Sequence, residues 1–345
     1  MEETWESLFI KQAKIEHHSQ AYINACLSYA TNLRKKNLPV IFNTDHLALF
    51  LGLSISRYNE ITINHYNCYS NYSIRKRHSK EKRKISAPHP DLHRAQTIIY
   101  KTILLKDTSV SQSAHGFIPK NSPFARGILS NALVHQGCSW LLNIDLKNFF
   151  PSIYYNRVFN YFFSLGYEKD VCAGLTKICT YSNSLPQGAP TSPMLSNLIA
   201  KELDKKCEDL ALRKGCKYTR YADDLTFSGL DNSNKVLPKE VASIVSSCGF
   251  RVNRTKTKEK RRGQRQMVTG LTVTNGVHVP KAYRKDVWME LHCCKKFGIE
   301  KHYIYLNNNK RYYKQWLLGR IMFIRSVDKV CGNKMLELFN DLSWV

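Results

Sequence analysis

Tyr221-Ala222-Asp223-Asp224, set between Lys217-Tyr218-Thr219-Arg220 and Leu225-Thr226-Phe227, is the stretch on which the fold turns. Both flanking runs are short, β-prone and interleave polar with apolar residues, so the four residues read as the tip of a hairpin. Adjacent carboxylates at a tight bend repel each other. A divalent cation, which prefers carboxylate oxygens and nucleotide phosphates, turns that repulsion into coordination. A lone acidic pair is more often an exposed turn, and a second acid upstream changes the balance. Trp140-Leu141-Leu142-Asn143-Ile144 is an apolar run, a buried strand or the start of a core helix, and it ends in Asp145. A carboxylate at the end of a buried strand is held rigidly. Capping the next helix is the other role open to Asp145.

Between these acids lies Leu185-Pro186-Gln187-Gly188-Ala189-Pro190-Thr191-Ser192-Pro193. Ser192 reads as an N-cap with Pro193 at the first helical position, and Met194, Leu195, Leu198, Ile199 and Leu203 then recur on one helical face. So constrained a loop can hold Gln187 and backbone groups against a base pair. An ordinary surface connection is the alternative.

The run from Asn143 to Ile153 containing Asp145, the Pro186-Gln187-Gly188 loop and Tyr221-Ala222-Asp223-Asp224 resemble, in order and spacing, three successive palm motifs of reverse transcriptases. Two further elements, Asn131-Ala132-Leu133-Val134-His135 and Val268-Thr269-Gly270, resemble the Asn-Ala-x-x-His and Val-Thr-Gly signatures of bacterial retron reverse transcriptases. Their plainer readings are a helix end with a solvated His and a strand running into a turn at Gly270. The likeness lies mostly within residues 80 to 275.

The resemblance implies an α+β, right-hand polymerase with fingers, an antiparallel-sheet palm and a helical thumb. Residues 1–60 would be the N-terminal helical part of the fingers, 61–140 the rest of the fingers with a retron-type insertion, 141–278 the palm and 279–345 the thumb. It implies two Mg²⁺ ions on Asp145 and Asp223, supported by Asp224 and the Leu146 backbone carbonyl. Arg83, in Arg-x-Ile-x-x-Pro, would grip the incoming triphosphate with its planar fork. Asn148, Phe149, Phe150, Gln187 and Tyr221 would surround the nucleotide. Phe150, five positions after Asp145, would lie beneath the sugar and exclude a 2′-OH, whereas a core role fits Phe149 better. Lys256, in Asn253-x-x-Lys256-Thr257, would stand near the departing pyrophosphate as charge stabiliser or proton donor. Asn131, His135, Val268, Thr269 and Gly270, together with Lys310, Arg311, Trp316 and Arg320 of the thumb, would contact RNA. Ala114-His115-Gly116-Phe117 is similar to a template-holding element, with core packing equally open to Phe117.

Composition accords with that reading. The 345 residues suffice for two or three subdomains, and 43% hydrophobic residues fit a globular chain. Lys and Arg number 52 against 27 acids, a formal charge of +25 that suits a polyanionic partner, though any basic nucleic-acid-binding protein shares it. The 11 cysteines are scattered without a Cys-x-x-Cys pair, which argues against a zinc site or disulfide framework. Without a basic start leading into an apolar stretch or a run of about 18 apolar residues, a cytoplasmic, non-membrane location is expected.

Along the chain, apolar periodicity predicts helices over Ile15 to Leu33 and Asp45 to Ile61. The second, interrupted at Gly52, reads as a plain helical pair or a helix-turn-helix. Seven bases and one acid crowd residues 75–88. Ala242, Ile244, Val245 and Phe250 suggest a packed palm helix, Lys258 to Arg265 a basic loop tracking nucleic acid, and the chain from Val279 a helical thumb with Lys314 and Arg325 also suited to phosphate.

By the same resemblance, the enzyme would use dNTPs to copy part of its own structured noncoding RNA, priming from a guanosine 2′-OH and leaving branched RNA-DNA (msDNA). Its partners would be that RNA, the cDNA and an effector protein from the same locus, in antiphage defence. With no room for a ribonuclease H domain, a host ribonuclease H would act in trans. A group II intron-type reverse transcriptase, or a scaffold that restrains a toxic effector, are the alternative readings.

Overall fold

The computed structural model describes residues 4–75, 82–119, 126–305 and 312–344. The chain opens with four helices, α1 (Trp5–Ile15), α2 (Gln20–Lys35), α3 (Thr44–Phe50) and α4 (Ile55–Ile63). Side chains of Thr4, Ser19, Asn43 and Ser54 accept backbone N–H groups at their N-termini, satisfying donors the helices cannot. A hairpin of β1 (Tyr69–Arg75) and β2 (Lys82–Pro88) leads to α5 (Pro90–Thr102), α6 (Ile128–Val134) and β3 (Trp140–Leu146). Next come α7 (Tyr155–Leu165), α8 (Lys169–Cys179), α9 (Ser192–Ile199), α10 (Lys201–Arg213), β4 (Lys217–Tyr221), β5 (Asp224–Gly229), α11 (Pro238–Ser247) and β6 (Val252–Arg261). Two short strands, β7 (Met267–Val268) and β8 (Leu271–Thr272), precede α12 (Lys281–Phe297), α13 (Ile299–Tyr305), α14 (Tyr313–Val327) and α15 (Lys329–Asn340).

The chain divides into two compact units, each gathered from separate stretches: residues 1–117, 146–206 and 242–252, and residues 118–145, 207–241 and 253–345. In the first, α3, α4, α5 and α7 pack on α8, which buries Val171, Cys172, Leu175, Ile178 and Cys179. A side chain at Gly174 would run into the Tyr58 hydroxyl and Leu47, so the close approach of these helices requires glycine. The Pro-Gln-Gly loop lies against β2. There the Ser86 N–H donates to the Gln187 carbonyl at 2.8 Å, and Gly188, at φ +126°, would place a Cβ 2.7 Å from the Ser86 oxygen.

The second unit holds an antiparallel arrangement of β3 with β5 and of β4 with β5, within a four-stranded sheet of order β4-β5-β3-β6. Its core joins Leu141 of β3 and Ala132 of α6 to Val268, Leu271, Val287, Leu291, Leu317, Ile321, Ile324, Met335 and Phe339. That burial explains why Leu317, Ile321 and Ile324 recur at helical spacing in α14.

Three expectations need correction. The helix predicted from Ile15 to Leu33 starts later, at Gln20, because α1 ends at Ile15 and His17, at φ 59°, turns the chain before the Ser19 cap. The cap before Pro193 is Thr191, and the apolar face spans two helices: α9 ends at Ile199, so Leu203 belongs to α10. Residues 258–261 are strand, since β6 runs to Arg261. The stretch around Gly52 is a helical pair, α3 and α4, with Gly52 at φ +67° between them.

Trp140 and Gly229 face each other across β3 and β5, and Trp140 is fully buried with its indole N–H donating to the Asp231 carbonyl at 2.7 Å. A Cβ on Gly229 would meet the indole ring at 2.8–2.9 Å. Gly229→Ala therefore destabilises the fold by about 1–3 kcal/mol, read as a lower urea midpoint, while an unchanged midpoint would show that the sheet relaxes freely there.

Candidate active site

The sheet places the acids. In the register of β3 with β5, Asp145 stands directly opposite Asp224; in that of β4 with β5, Tyr221 stands opposite Asp224, leaving Ala222 and Asp223 as a two-residue loop. Leu142 and Ile144 of β3 stand opposite Phe227 and Leu225 of β5, all four buried on one face, so a slip of one residue would set the β5 hydroxyls of Thr226 and Ser228 against them. Ala222 carries φ +57°, the sign required at the first loop residue of a II′ hairpin turn. The fully buried Arg220 donates from Nη1 to the Ala222 carbonyl at 3.1 Å and braces that strained residue from beneath.

Asp145 is buried and both its oxygens are engaged. Lys256 Nζ lies 2.8 Å from Oδ1, and Asn253 Nδ2 donates to Oδ2 at 2.9 Å. The Asp145 hydrogen bond, reinforced by the charges of Asp145, Asp223 and Asp224, holds the Lys256 ammonium above its ordinary pKa. Burial, then the neighbouring charges of Asp223 and Asp145, push the Asp224 carboxyl up to about 7, with Lys256 pulling the other way. Asp224 is nevertheless exposed to solvent on its strand, so water screens part of the desolvation and the crowding of like charge is the sturdier cause. Like charges directly opposite on a sheet destabilise it, and a bound cation would relieve them.

Among the described residues, no three His, Cys, Asp or Glu side chains converge as a ready-made metal cage. Mg²⁺ is commonly held by one or two carboxylates together with water and substrate phosphates, and the donor set here suits that mode.

The nucleotide-side residues fall as follows. Arg83 is exposed on β2 opposite Ile74, and Asn148 has φ +53°. Phe149 is core: its ring packs 5.5 Å from Phe250 and it is almost fully buried, which corrects the expected place beside the nucleotide. Phe150 is half-buried, 5.7 Å from the ring of Phe117, itself partly exposed at φ +61°. Gln187 and Tyr221 are half-buried, and Leu146 ends β3 with its side chain buried.

The expected RNA readers behave differently. His135 is fully buried and bridges two strands, with Nδ1 2.7 Å from the Ser228 hydroxyl and Nε2 2.7 Å from the Thr219 hydroxyl. Asn131 and Val268 are buried as well. These three are corrected: their side chains serve the interior, and neither the solvated His nor direct RNA reading by them survives. Thr269 and Gly270 form the two-residue turn between β7 and β8, both at positive φ (46° and 82°), as a I′ hairpin demands. A β-branched residue there is strained, and the Thr269 hydroxyl donates to the Ile128 carbonyl at 2.9 Å, tying the turn to α6. Trp316 is half-buried against the helical core. Arg320 sits over the rings of Tyr283 (4.4 Å) and Trp316 (4.9 Å) and 3.8 Å from Asp286, with its side chain largely buried; it ties helices together and is poorly placed for phosphate. Lys310 and Arg311 lie outside the described residues. Sequence reasoning missed Asn253 as the second anchor of Asp145, and Arg220, for which no signal exists, since a buried arginine in a strand looks like any exposed one.

Residues 74–274 match the family described as reverse transcriptase (RNA-dependent DNA polymerase). Retron Ec86 reverse transcriptase of Escherichia coli is 34% identical over 316 residues, spanning 90% of this chain and 92% of that protein. Retron Mx65 reverse transcriptase of Myxococcus xanthus is 34% identical over 311 residues, spanning 82% and 70%. Retron Mx162 reverse transcriptase of the same organism is 35% identical over 276 residues, spanning 70% and 55%.

The raised Asp224 pKa has a measurable sign. A carboxyl that keeps its proton to higher pH when folded contributes stability that is present at acid pH and lost as pH climbs from about 4 towards about 7. In metal-free buffer Asp224→Asn therefore has a higher urea midpoint than the parent at about pH 8, by roughly 1 kcal/mol or less after screening, and the gain shrinks near pH 5. An equal difference at both pH values contradicts the assignment.

Proposed function

The chain belongs to the retron reverse transcriptases, RNA-directed DNA polymerases dependent on a divalent metal, and on that premise we propose that it copies part of its own structured noncoding RNA from a guanosine 2′-OH primer, leaving branched RNA-DNA. The observation that supports the catalytic reading is the register that sets Asp145 opposite Asp224, with Asp223 beside it in the turn. Two Mg²⁺ ions, held by Asp145 and Asp223 with Asp224 and the Leu146 carbonyl in support, would supply an activated primer hydroxyl and charge stabilisation for the leaving pyrophosphate. The chain's own groups do the rest. Lys256, kept protonated by its acidic neighbours, exchanges Asp145 for the departing phosphate and offers it charge or a proton. Arg83 offers a planar fork to the triphosphate, and Asn148, Gln187 and Tyr221 position the nucleotide. Phe150, with its ring half-exposed, excludes a ribose 2′-OH.

In this reading residues 1–140 act as fingers, 141–278 as palm and 279–345 as thumb. The formal charge of +25 suits template, primer and cDNA alike. The buried signature elements serve RNA recognition from within, by fixing the Gly270 turn and the catalytic hairpin, and Thr269 and Gly270 remain at that turn. The product supports antiphage defence with an effector protein from the same locus, a host ribonuclease H trims the RNA in trans, and the work is done in the cytoplasm. No helix among the described residues is long and apolar enough to cross a membrane.

Asp145→Asn and Asp223→Asn remove charge while nearly preserving volume. Each is expected to bind the locus RNA as the parent does and to lose primer extension by on the order of 10²-fold or more. Near-normal extension by both would defeat the assignment. Phe150→Ala should raise ribonucleotide relative to deoxynucleotide incorporation in competition assays, alongside a general loss from the cavity, and an unchanged ratio in a folded variant would make Phe150 core.

A further inference from the structure

Phe117 holds a conformation that bulky residues avoid. Its φ of +61° lies in the left-handed region, and its ring is more than a third exposed, so burial offsets little of the strain. Strain kept without burial points to use rather than to stability. The surrounding structure imposes it. Ala114, His115 and Gly116 are buried, and the fully buried Asn197 of α9 donates from Nδ2 to the Gly116 carbonyl at 2.8 Å. That carbonyl lies in the peptide plane from which the Phe117 φ is turned, so holding the plane restricts where the ring can project.

The ring meets Phe150. Their centroids are 5.7 Å apart with the planes tilted by 45°, within the range of a packed aromatic pair. The backbone of Phe150 is already set by a short turn, in which the Ser152 N–H donates to the Asn148 carbonyl at 2.8 Å and the Ile153 N–H to the Phe150 carbonyl at 3.0 Å. What remains free is the rotamer of a half-exposed side chain. Phe149, whose ring is 5.7 Å from Phe150 and packs on Phe250, limits that rotation from the core. Phe117 is a second ring against it, and it arrives from a different part of the chain.

We propose that Phe117 is a positioning residue for sugar selection: its ring holds Phe150 in the rotamer that excludes a ribose 2′-OH. The inference rests on the reading of Phe150 as the ring beneath the sugar. An apolar wall rejects an added hydroxyl only by standing where the hydroxyl would go, so a wall free to turn aside loses its discrimination. Phe117 needs no contact with the nucleotide to act in this way. Stacking of Phe117 on a template base, the other use open to an exposed ring, would leave sugar selection untouched.

The test is the ratio of kcat/KM for a dNTP to that for the matching ribonucleotide on one RNA template, measured for the parent, Phe117→Gly, Phe117→Leu, Phe150→Ala and the double variant of Phe117→Gly with Phe150→Ala. Glycine takes positive φ without strain, so Phe117→Gly is expected to melt close to the parent. Its preference for the dNTP is expected to fall by about 10-fold. Phe117→Leu, which keeps bulk against Phe150, retains most of the preference, and Phe117→Ala, which keeps the Cβ, separates loss of the ring from a loosened loop. The double variant is expected to be no less selective than Phe150→Ala alone, because a brace has nothing to hold once the gate is gone. A parental ratio in Phe117→Gly and Phe117→Ala beside a reduced one in Phe150→Ala overturns the inference and leaves the gate standing, whether or not the variants melt lower. A raised KM for template RNA with a parental ratio gives the ring to the template and likewise overturns it, as do losses that add independently in the double variant. A parental ratio in Phe150→Ala itself removes the gate and the inference together.

Discussion

Asp145 and Asp224 face each other across two hydrogen-bonded strands, with Asp223 in the adjoining turn, and the rest of the second unit serves that repulsion. Nothing about carboxylates favours the arrangement; the apolar residues behind them impose it. Leu142 and Ile144 meet Phe227 and Leu225 on one buried face only in this register, which brings the acids out at one end of the sheet whatever their mutual cost. Lys256 and Asn253 temper the cost at Asp145 through a charge-assisted and a neutral hydrogen bond. At Asp224 the balance tips the other way, because burial and two neighbouring acids raise its pKa against the single opposing pull of Lys256.

The two short signatures that flank the polymerase motifs act on this frame from inside. His135 ties Thr219 of β4 to Ser228 of β5, the two strands whose shared turn presents Asp223. The strained Thr269 is secured to the first residue of α6, the helix that ends just before His135. Helix α6 thus links the hairpin that carries Asp223 and Asp224 to the β7–β8 turn.

What the sequence made legible follows from period and length. The hairpin, the buried strand carrying Asp145 and the C-terminal helices with Leu317, Ile321 and Ile324 inside all carry strong apolar patterns. The break between α9 and α10 was hidden because the apolar residues on either side of Ala200 keep one helical phase. Side-chain direction in the signatures was hidden for a different reason: the partners of His135 lie 84 and 93 positions away, and a short motif says nothing about what folds over it. Phe149 and Phe150 are neighbours with opposite fates, one in the core and one half-exposed, and only the packing of Phe250 separates them.

A sheet register that gathers acids for a cation is tested most closely by direct metal binding. Mn²⁺ binding followed by electron paramagnetic resonance, with primer-template RNA and a non-hydrolysable dNTP present, should be substantial in the parent and weakened in both Asp145→Asn and Asp223→Asn, with each variant still folded and still bound to RNA. Undiminished Mn²⁺ binding in both variants would contradict that role and leave the apposed carboxylates without the ligand that justifies their cost.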